Sequence, residues 1–271
     1  MNGYQLLDSG RGQKLERFGG ATLVRPCPQA IWLPEKPHAW NDADAIFSRE
    51  KEDRWQYNKK LPKSWIVEIE AVRFQVSLTD FGHLGVFPEH ASLWSAMRSW
   101  IRPKMRVLNL FAYSGGVTLA AALAGAEVCH LDASKGMVDW ARENAAINDL
   151  TKAPIRWIVD DAIKFLKREA KRGSFYDGIV LDPPTFGRGS QGEVFKIERD
   201  LLPLLEYCKA VLSSDAKFLI LSCHTPGLTP IVLNQALAQV FEPEGIDSGE
   251  MILASVNRFF IPSGSYAIKT F

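Results

Sequence analysis

In the second half of the chain, short, mostly apolar runs alternate with stretches whose apolar residues recur every three to four positions. The runs are Val107–Phe111, Val128–Leu131, Ile155–Val159, Ile179–Leu181 and Phe218–Ser222. Apolar on both faces, they read as strands covered by helices on either side. Helices are predicted from Ser92 to Ile101, from Val117 to Ala124 with Gly125 ending it, from just after Ser134, over 162–171, over about 194–212 and over 229–240. Strand and helix in alternation give an α/β fold with a mostly parallel sheet and right-handed crossovers. Segments 250–257 and 265–271 are predicted to close that sheet as a pair, one strand antiparallel.

The first hundred residues have another texture. Six of the eight tryptophans lie there (Trp32, Trp40, Trp55, Trp65, Trp94, Trp100), with prolines at 26, 28, 34, 37 and 62. Short alternating runs such as Ala21–Arg25 and Trp65–Ile69, punctuated by turn residues, predict a small β-rich module over 1–90 ahead of the α/β domain over 91–271.

Chemistry collects where the apolar runs end. After the first, Phe111–Ala112–Tyr113–Ser114–Gly115–Gly116 turns into a helix, and the paired glycines let the backbone bend tightly and a ligand approach. Asp132, 23 positions after Asn109, closes the next run, where a carboxylate grips ribose hydroxyls in Rossmann-like folds. Ala133 and Ser134 lead from it into the next helix, and the plainer role for Asp132 is to cap that helix. A dinucleotide site would show G-x-G-x-x-G to seat a pyrophosphate, and this turn does not match it. S-adenosylmethionine carries no phosphate, so a looser turn suffices.

Leu181 leads directly into Asp182–Pro183–Pro184–Thr185–Phe186. Two prolines stiffen that turn and leave carbonyls to accept from a substrate amino group, while Phe186 offers a ring for stacking on a base. Asp182 can accept from an exocyclic amine; read blandly, Asp-Pro-Pro is a strand terminator. In Asp160–Asp161–Ala162, one carboxylate is placed to meet an adenine edge and one to cap helix 162–171. Cys223, in Ser222–Cys223–His224, ends the strand after the Asp-Pro-Pro unit and so shares its edge. As a thiolate it would add to C6 of a pyrimidine and activate C5, with His224 lowering its pKa; as a buried thiol it would be inert packing. The basic run Lys164, Lys167, Arg168, Lys171, Arg172 reads either as a solvated helix face or as a phosphate contact.

Composition narrows the classes. Apolar residues make up 46% and charged ones 23% of 271, ordinary globular values. With no apolar run of about 18 residues and no secretory pattern at the N-terminus, neither a membrane span nor export is predicted, and a cytoplasmic location is expected. Cys27, Cys129, Cys208 and Cys223 stand far apart without C-x-x-C spacing, which predicts free thiols and no metal site. A formal net charge of +1 exerts no global pull on polyanions, so a nucleic-acid partner would need a local patch.

On these residues the chain resembles class I S-adenosylmethionine-dependent methyltransferases, in particular the group containing the large-subunit ribosomal RNA cytosine-5 methyltransferase and its bacterial relatives. The resemblance covers about residues 80 to 271, through Asn109–Gly116, Asp132–Ser134, Asp161–Ala162 and Asp182–Gly189; a subgroup shares Leu15–Gly19 and Gly85–Glu89. It implies that the turn Phe111, Ala112, Tyr113, Ser114, Gly115, Gly116 and the carboxylates Asp132, Asp161 and Asp182 hold S-adenosylmethionine. Their neighbours Asn109, Ala133, Ser134, Asp160 and Ala162 are expected to line the same site, with Phe87 and Glu89 approaching the methionine end. Pro183, Pro184 and Phe186 would hold the substrate, and Cys223 and Asp182 are the catalytic candidates. RNA is the expected substrate, with an amino nitrogen or a small molecule as the alternative acceptor and a non-catalytic RNA-binding protein more distant. Two departures bear on the substrate: no PUA-like RNA-binding module is legible at the N-terminus, and His224 stands where the cytosine-5 enzymes have a small residue.

Overall fold

The computed structural model of the chain describes residues 3–49, 54–189, 192–256 and 258–271. The chain divides into two compact units, one formed by Met1–Ala91 with Ile252–Ser263 and one by Ser92–Met251 with Gly264–Phe271. The hydropathy pattern assigned 252–263 to the α/β domain. In the structure Leu253 and Ile261 instead pack with Leu6, Cys27 and Ala30, completing a core of the first unit.

In that first unit, β1 (Tyr4–Gly10), β2 (Gln13–Phe18) and β3 (Ala21–Pro26) form an antiparallel meander. It is extended by β4 (Ala45–Ser48), parallel to β3, and by the edge strand β5 (Arg54–Tyr57), antiparallel to β4. β6 (Trp65–Ile69) and β7 (Val72–Val76) make a hairpin whose two turn residues, Glu70 and Ala71, both hold positive φ, 48° and 60°. That mirror-image turn matches the twist of the flanking strands. Inside the unit Glu16 is fully buried, its carboxylate accepting from Arg25 Nε at 2.7 Å, Arg25 Nη2 at 2.9 Å and Tyr4 Oη at 2.9 Å. Burial alone would raise the Glu16 pKa, but Arg25 and Lys14 pull it down to about 2.

The second unit carries a seven-stranded sheet. Its strands are β8 (Arg106–Leu110), β9 (Glu127–Asp132), β10 (Ile155–Val159), β11 (Gly178–Leu181), β14 (Phe218–Cys223), β15 (Ile246–Leu253) and β16 (Ile261–Thr270), in the order β10-β9-β8-β11-β14-β16-β15. The strands from β10 to β14 run parallel, and β16 is antiparallel to β14, as the pattern predicted for a Rossmann-like sheet. Helices α1 (Ala91–Trp100), α2 (Gly116–Leu123), α3 (Lys135–Ile147), α4 (Ala162–Arg172), α5 (Ile197–Ala210) and α6 (Pro230–Val240) connect or flank the strands. α4 shows how local sequence fixes an element: Asp161 Oδ1 accepts from Lys164 N at 2.8 Å at its start, and Gly173, at φ 66°, ends it after Lys171 and Arg172.

Three boundaries differ from the pattern. Phe111 leaves β8 and takes a left-handed φ of 55°. The helix expected over 194–212 begins at Ile197, because β13 (Val194–Lys196) pairs antiparallel with β12 (Phe186–Arg188) and tucks Phe195 into the core against Phe111, ring centroids 5.5 Å apart. The last two strands start earlier than expected, at Ile246 and Ile261, and residue 257 of the predicted segment lies outside the described residues. All four cysteines are free and buried. Among the described residues, no helix is long and apolar enough to cross a membrane.

Candidate functional site

β8 stands where the strand order reverses, with β9 and β10 on one side and β11 and β14 on the other. Ligands of open parallel sheets collect outside the carboxyl ends of the strands at such a point. The second unit places there the turn Phe111–Gly116 after β8, Asp132 at the end of β9, Asp160 and Asp161 after β10, Asp182–Phe186 after β11, and Cys223 and His224 at the end of β14. Phe87 and Glu89 belong to the first unit, flanking and forming a 3-10 turn over Pro88–His90; Glu89 is buried there and Phe87 stacks on His90, centroids 6.0 Å apart.

The turn after β8 is strained and firmly held. Phe111, Tyr113 and Gly115 all take positive φ, at 55°, 50° and 95°. A non-glycine residue in that region costs about 1–2 kcal/mol, so the surroundings must fix it. Asp132 supplies part of the restraint: its Oδ2 accepts from Tyr113 N at 2.9 Å and its Oδ1 from Ser134 N at 2.8 Å. Burial raises the Asp132 pKa, and the two N–H donors oppose that rise. Asn144 Nδ2 donates to Ser114 O at 3.0 Å, and Ala112 N donates to Leu131 O at 3.0 Å. The glycines answer to packing as much as to ligand room. A Cβ on Gly116 would lie 2.5 Å from Trp94 Cζ2, and one on Gly115 would lie 3.1 Å from Ala141 Cβ.

Behind the turn lies a buried polar relay that the sequence reading did not include. Asn109 Nδ2 donates to Thr118 Oγ1 at 2.9 Å, and Thr118 Oγ1 meets His130 Nδ1 at 2.9 Å. The His130 ring faces Trp157, centroids 4.8 Å apart. Burial, with Arg142 adding to it, pushes the His130 pKa down to about 3. Asn109 therefore serves β8–α2–β9 packing through its amide nitrogen. On α3, Asn148 Nδ2 donates to Asn144 O at 2.7 Å. The available signal was polar residues on a stripe that otherwise holds Val138, Ala141 and Ala145.

At the end of β10 the two carboxylates have separate engagements. Asp160 accepts from Asp161 N at 2.8 Å and pairs with Arg168, while Asp161 uses Oδ1 to cap α4. Most of the basic run on α4 is likewise engaged: Lys164 with Glu193, Arg172 with Glu169 at 3.1 Å, and Lys167 over the Tyr207 ring at 5.0 Å. Asp182 Oδ1 accepts from Ser222 Oγ at 2.8 Å, and Oδ2 lies 3.8 Å from His224 Nε2. Thr185 and Thr225 join their hydroxyls at 2.7 Å, tying the Asp-Pro-Pro loop to the segment after β14. Pro183 is buried and Pro184 exposed. The Phe186 ring is 49% exposed with the Arg188 guanidinium 5.7 Å from its centroid, so it presents an open face. Cys223 is 1% exposed within the main core cluster, and its Sγ accepts from Thr225 N at 3.3 Å. Burial raises its thiol pKa.

Comparison with known proteins adds the family. The chain spans about a quarter of the length of the curated relatives it matches: it is 34% identical over 211 residues to the ribosomal RNA large subunit methyltransferase K/L of Pseudoalteromonas atlantica, covering 76% of this chain and 28% of that protein. With the enzyme of the same name from Aeromonas salmonicida it shares 32% identity over 169 residues, covering 61% of this chain and 23% of that one. The crystal structure of SMU.776 complexed with SAH matches with a TM-score of 0.80 at 19% identity, covering 99% of this chain and 76% of that one, a likeness of fold alone. The structure of a SAM-dependent methyltransferase from Agrobacterium tumefaciens matches all of this chain and 91% of its own, with a TM-score of 0.95 and 36% identity. A family description, S-adenosylmethionine-dependent methyltransferase, covers residues 48–239. With that match extending over most of its length, the chain belongs to the S-adenosylmethionine-dependent methyltransferases.

Proposed function

We propose that this chain methylates a base of ribosomal RNA, with the cofactor held between the turn after β8 and Asp132 and the base presented to Asp182–Phe186. One observation carries the reading: the second unit lines up a strained turn, a half-buried carboxylate and an aromatic-tipped Asp-Pro-Pro loop along a single sheet edge. The names of the curated relatives support ribosomal RNA as the acceptor.

The residues present fit the cofactor. A carboxylate offers about four lone-pair positions. Tyr113 N and Ser134 N take two on Asp132, which leaves two that would accept from the ribose hydroxyls. Asp161, with Oδ1 engaged in the cap, has Oδ2 for an adenine amino group, and Asp160 acts through its pairing with Arg168. When bound, S-adenosylmethionine supplies a methyl group on a sulfonium sulfur, open to displacement by a nucleophilic atom in line with the departing sulfur. Asp182 and the prolyl carbonyls would accept hydrogen bonds from the attacking amine and orient its lone pair, the proton that the methylated nitrogen sheds passing through the Asp182 carboxylate to solvent, and Phe186 would stack the base.

This arrangement favours a nitrogen acceptor. A C5 acceptor would need Cys223 as a thiolate, and burial, a raised pKa and its place in the core weigh against that. Its position at the end of β14, two strands from β8, is what supports the second reading. Incubation with methyl-labelled cofactor and either ribosomal RNA or a small-molecule extract tests the acceptor. Label in RNA, released as a methylated base nitrogen on nuclease digestion, is expected; label confined to the small-molecule fraction would overturn the proposal.

A further inference from the structure

If RNA is the substrate, something must hold its backbone, and the whole-chain charge of +1 does not. The helical basic run on α4 is largely neutralised by its own neighbours. The first unit has another candidate. From Arg54 to Val67 the chain carries Arg54, Lys59, Lys60 and Lys63 and no acidic residue; Glu50, Glu52 and Asp53, which precede it, lie outside the described residues. This stretch runs from β5, the edge of its sheet, into an open groove of about 580 Å³ lined by Tyr57, Asn58, Lys59, Lys60, Lys63 and Leu78 among others.

The groove is built on a rigid footing. Asp44 O accepts from Asn58 N at 2.9 Å and Lys59 N at 3.1 Å, Asn58 Nδ2 donates to Ala43 O at 2.9 Å, and the Lys59 ammonium sits 2.8 Å from Asp44 Oδ1. Trp55, next along β5, is anchored by its indole N–H to Thr79 O at 2.8 Å. Lys59 is thus committed locally. Lys60 and Lys63 are exposed and make no ion pair among the described residues, and Tyr57 leaves 59% of its surface open beside them. Two ammonium groups with no ion pair among the described residues, lining one groove with an open aromatic ring, are the chemistry that tracks a single-stranded phosphodiester backbone while stacking a base.

We infer that the groove beneath Tyr57, Lys60 and Lys63 is an RNA-backbone docking site in the first unit, which rests on the reading of the enzyme as an RNA methyltransferase. It takes single-stranded RNA, through phosphates on the lysines and one base on Tyr57.

The test compares the full chain with Lys60→Gln/Lys63→Gln and with Tyr57→Ser, using fluorescence anisotropy on a labelled 20-nucleotide oligouridylate across a salt series. Each phosphate contact on single strands contributes about 0.7 to the slope of log K against log salt. The double variant should therefore lose about 1.4 from the slope and bind roughly tenfold or more weakly at low salt, while S-adenosylmethionine affinity by calorimetry stays at the wild-type value. Tyr57→Ser should weaken binding with the slope unchanged. Wild-type RNA affinity and slope in the double variant would overturn the inference and leave the lysines as guards against edge-to-edge strand pairing. If the wild-type chain neither binds the oligonucleotide nor methylates RNA, the functional reading falls and takes this site with it.

Discussion

Asp132 restrains the turn through Tyr113 N and Ser134 N, and under the proposed function the same carboxylate would also accept from the ribose hydroxyls. Asp132→Ala should therefore weaken S-adenosylmethionine binding by two charge-assisted hydrogen bonds of about 1.5–3 kcal/mol each, roughly a hundredfold or more in Kd. Calorimetry on a variant that still melts cooperatively measures this, and an unchanged Kd would remove Asp132 from the cofactor site. Cys223 makes the opposite case. Its environment is that of a core thiol, so Cys223→Ala should retain turnover and lower stability by about 1 kcal/mol, visible as a fall of a few degrees in Tm. RNA substituted with 5-fluorocytosine should yield no covalent adduct. Loss of turnover with cofactor affinity intact, together with a trapped adduct, would restore the covalent C5 route.

At the scale of elements, the junction between β8 and α2 depends on the contact of Gly116 with the Trp94 indole. Gly116→Ala forces a methyl group into that ring and should cost about 1–3 kcal/mol, with part of the loss recovered when Trp94→Leu is added, a coupling that a double-mutant cycle in urea reads directly. Additive losses would place the strain elsewhere. Contacts of this kind explain what the sequence could and could not reveal. β10 begins and ends where its apolar run does, at Ile155 and Val159, and α4 is bracketed by its own cap residues Asp161 and Gly173, because those signals are local. β13 was hidden at the start of an expected helix, since a three-residue strand has too little period to declare itself and Phe195 is placed by its pairing with Gly187 and its contact with Phe111, both distant in the pattern. The relay through Asn109, Thr118 and His130 was hidden for the same reason. Its partners become neighbours only through the β8–β9 register, in which Asn109 lies opposite His130. That Asp132, Asp160, Asp182 and Cys223 end or follow strands was legible, because strand ends in a parallel sheet share an edge.

For the whole molecule, the two units should differ in their response to acid. His130, in the second unit, has an ordinary pKa of 6.5 when unfolded and is held down to about 3 by burial and Arg142. Below pH 6.5 the unfolded chain takes up a proton that the folded unit refuses, so that unit loses about 1.4 kcal/mol per pH unit as pH falls toward 3. Glu16, in the first unit, goes from 4.5 to about 2 under the pull of Arg25 and Lys14 against burial. Its stabilising effect is complete above 4.5 and fades only as pH falls from there toward 2. Hydrogen exchange at stepped pH should show protection lost first around β9, from pH 6.5 downward, and around β2 only below 4.5; simultaneous loss would contradict this assignment, and His130→Gln should flatten the first phase. The division of the chain carries a further consequence for its synthesis. Leu253 and Ile261, which complete the core around Leu6, Cys27 and Ala30, emerge about 160 residues after the first unit's main segment ends at Ala91. At about 5–20 residues per second, the nascent N-terminal unit waits roughly 8 to 30 s on the ribosome with that apolar surface uncovered, so the part made first is among the last to be finished.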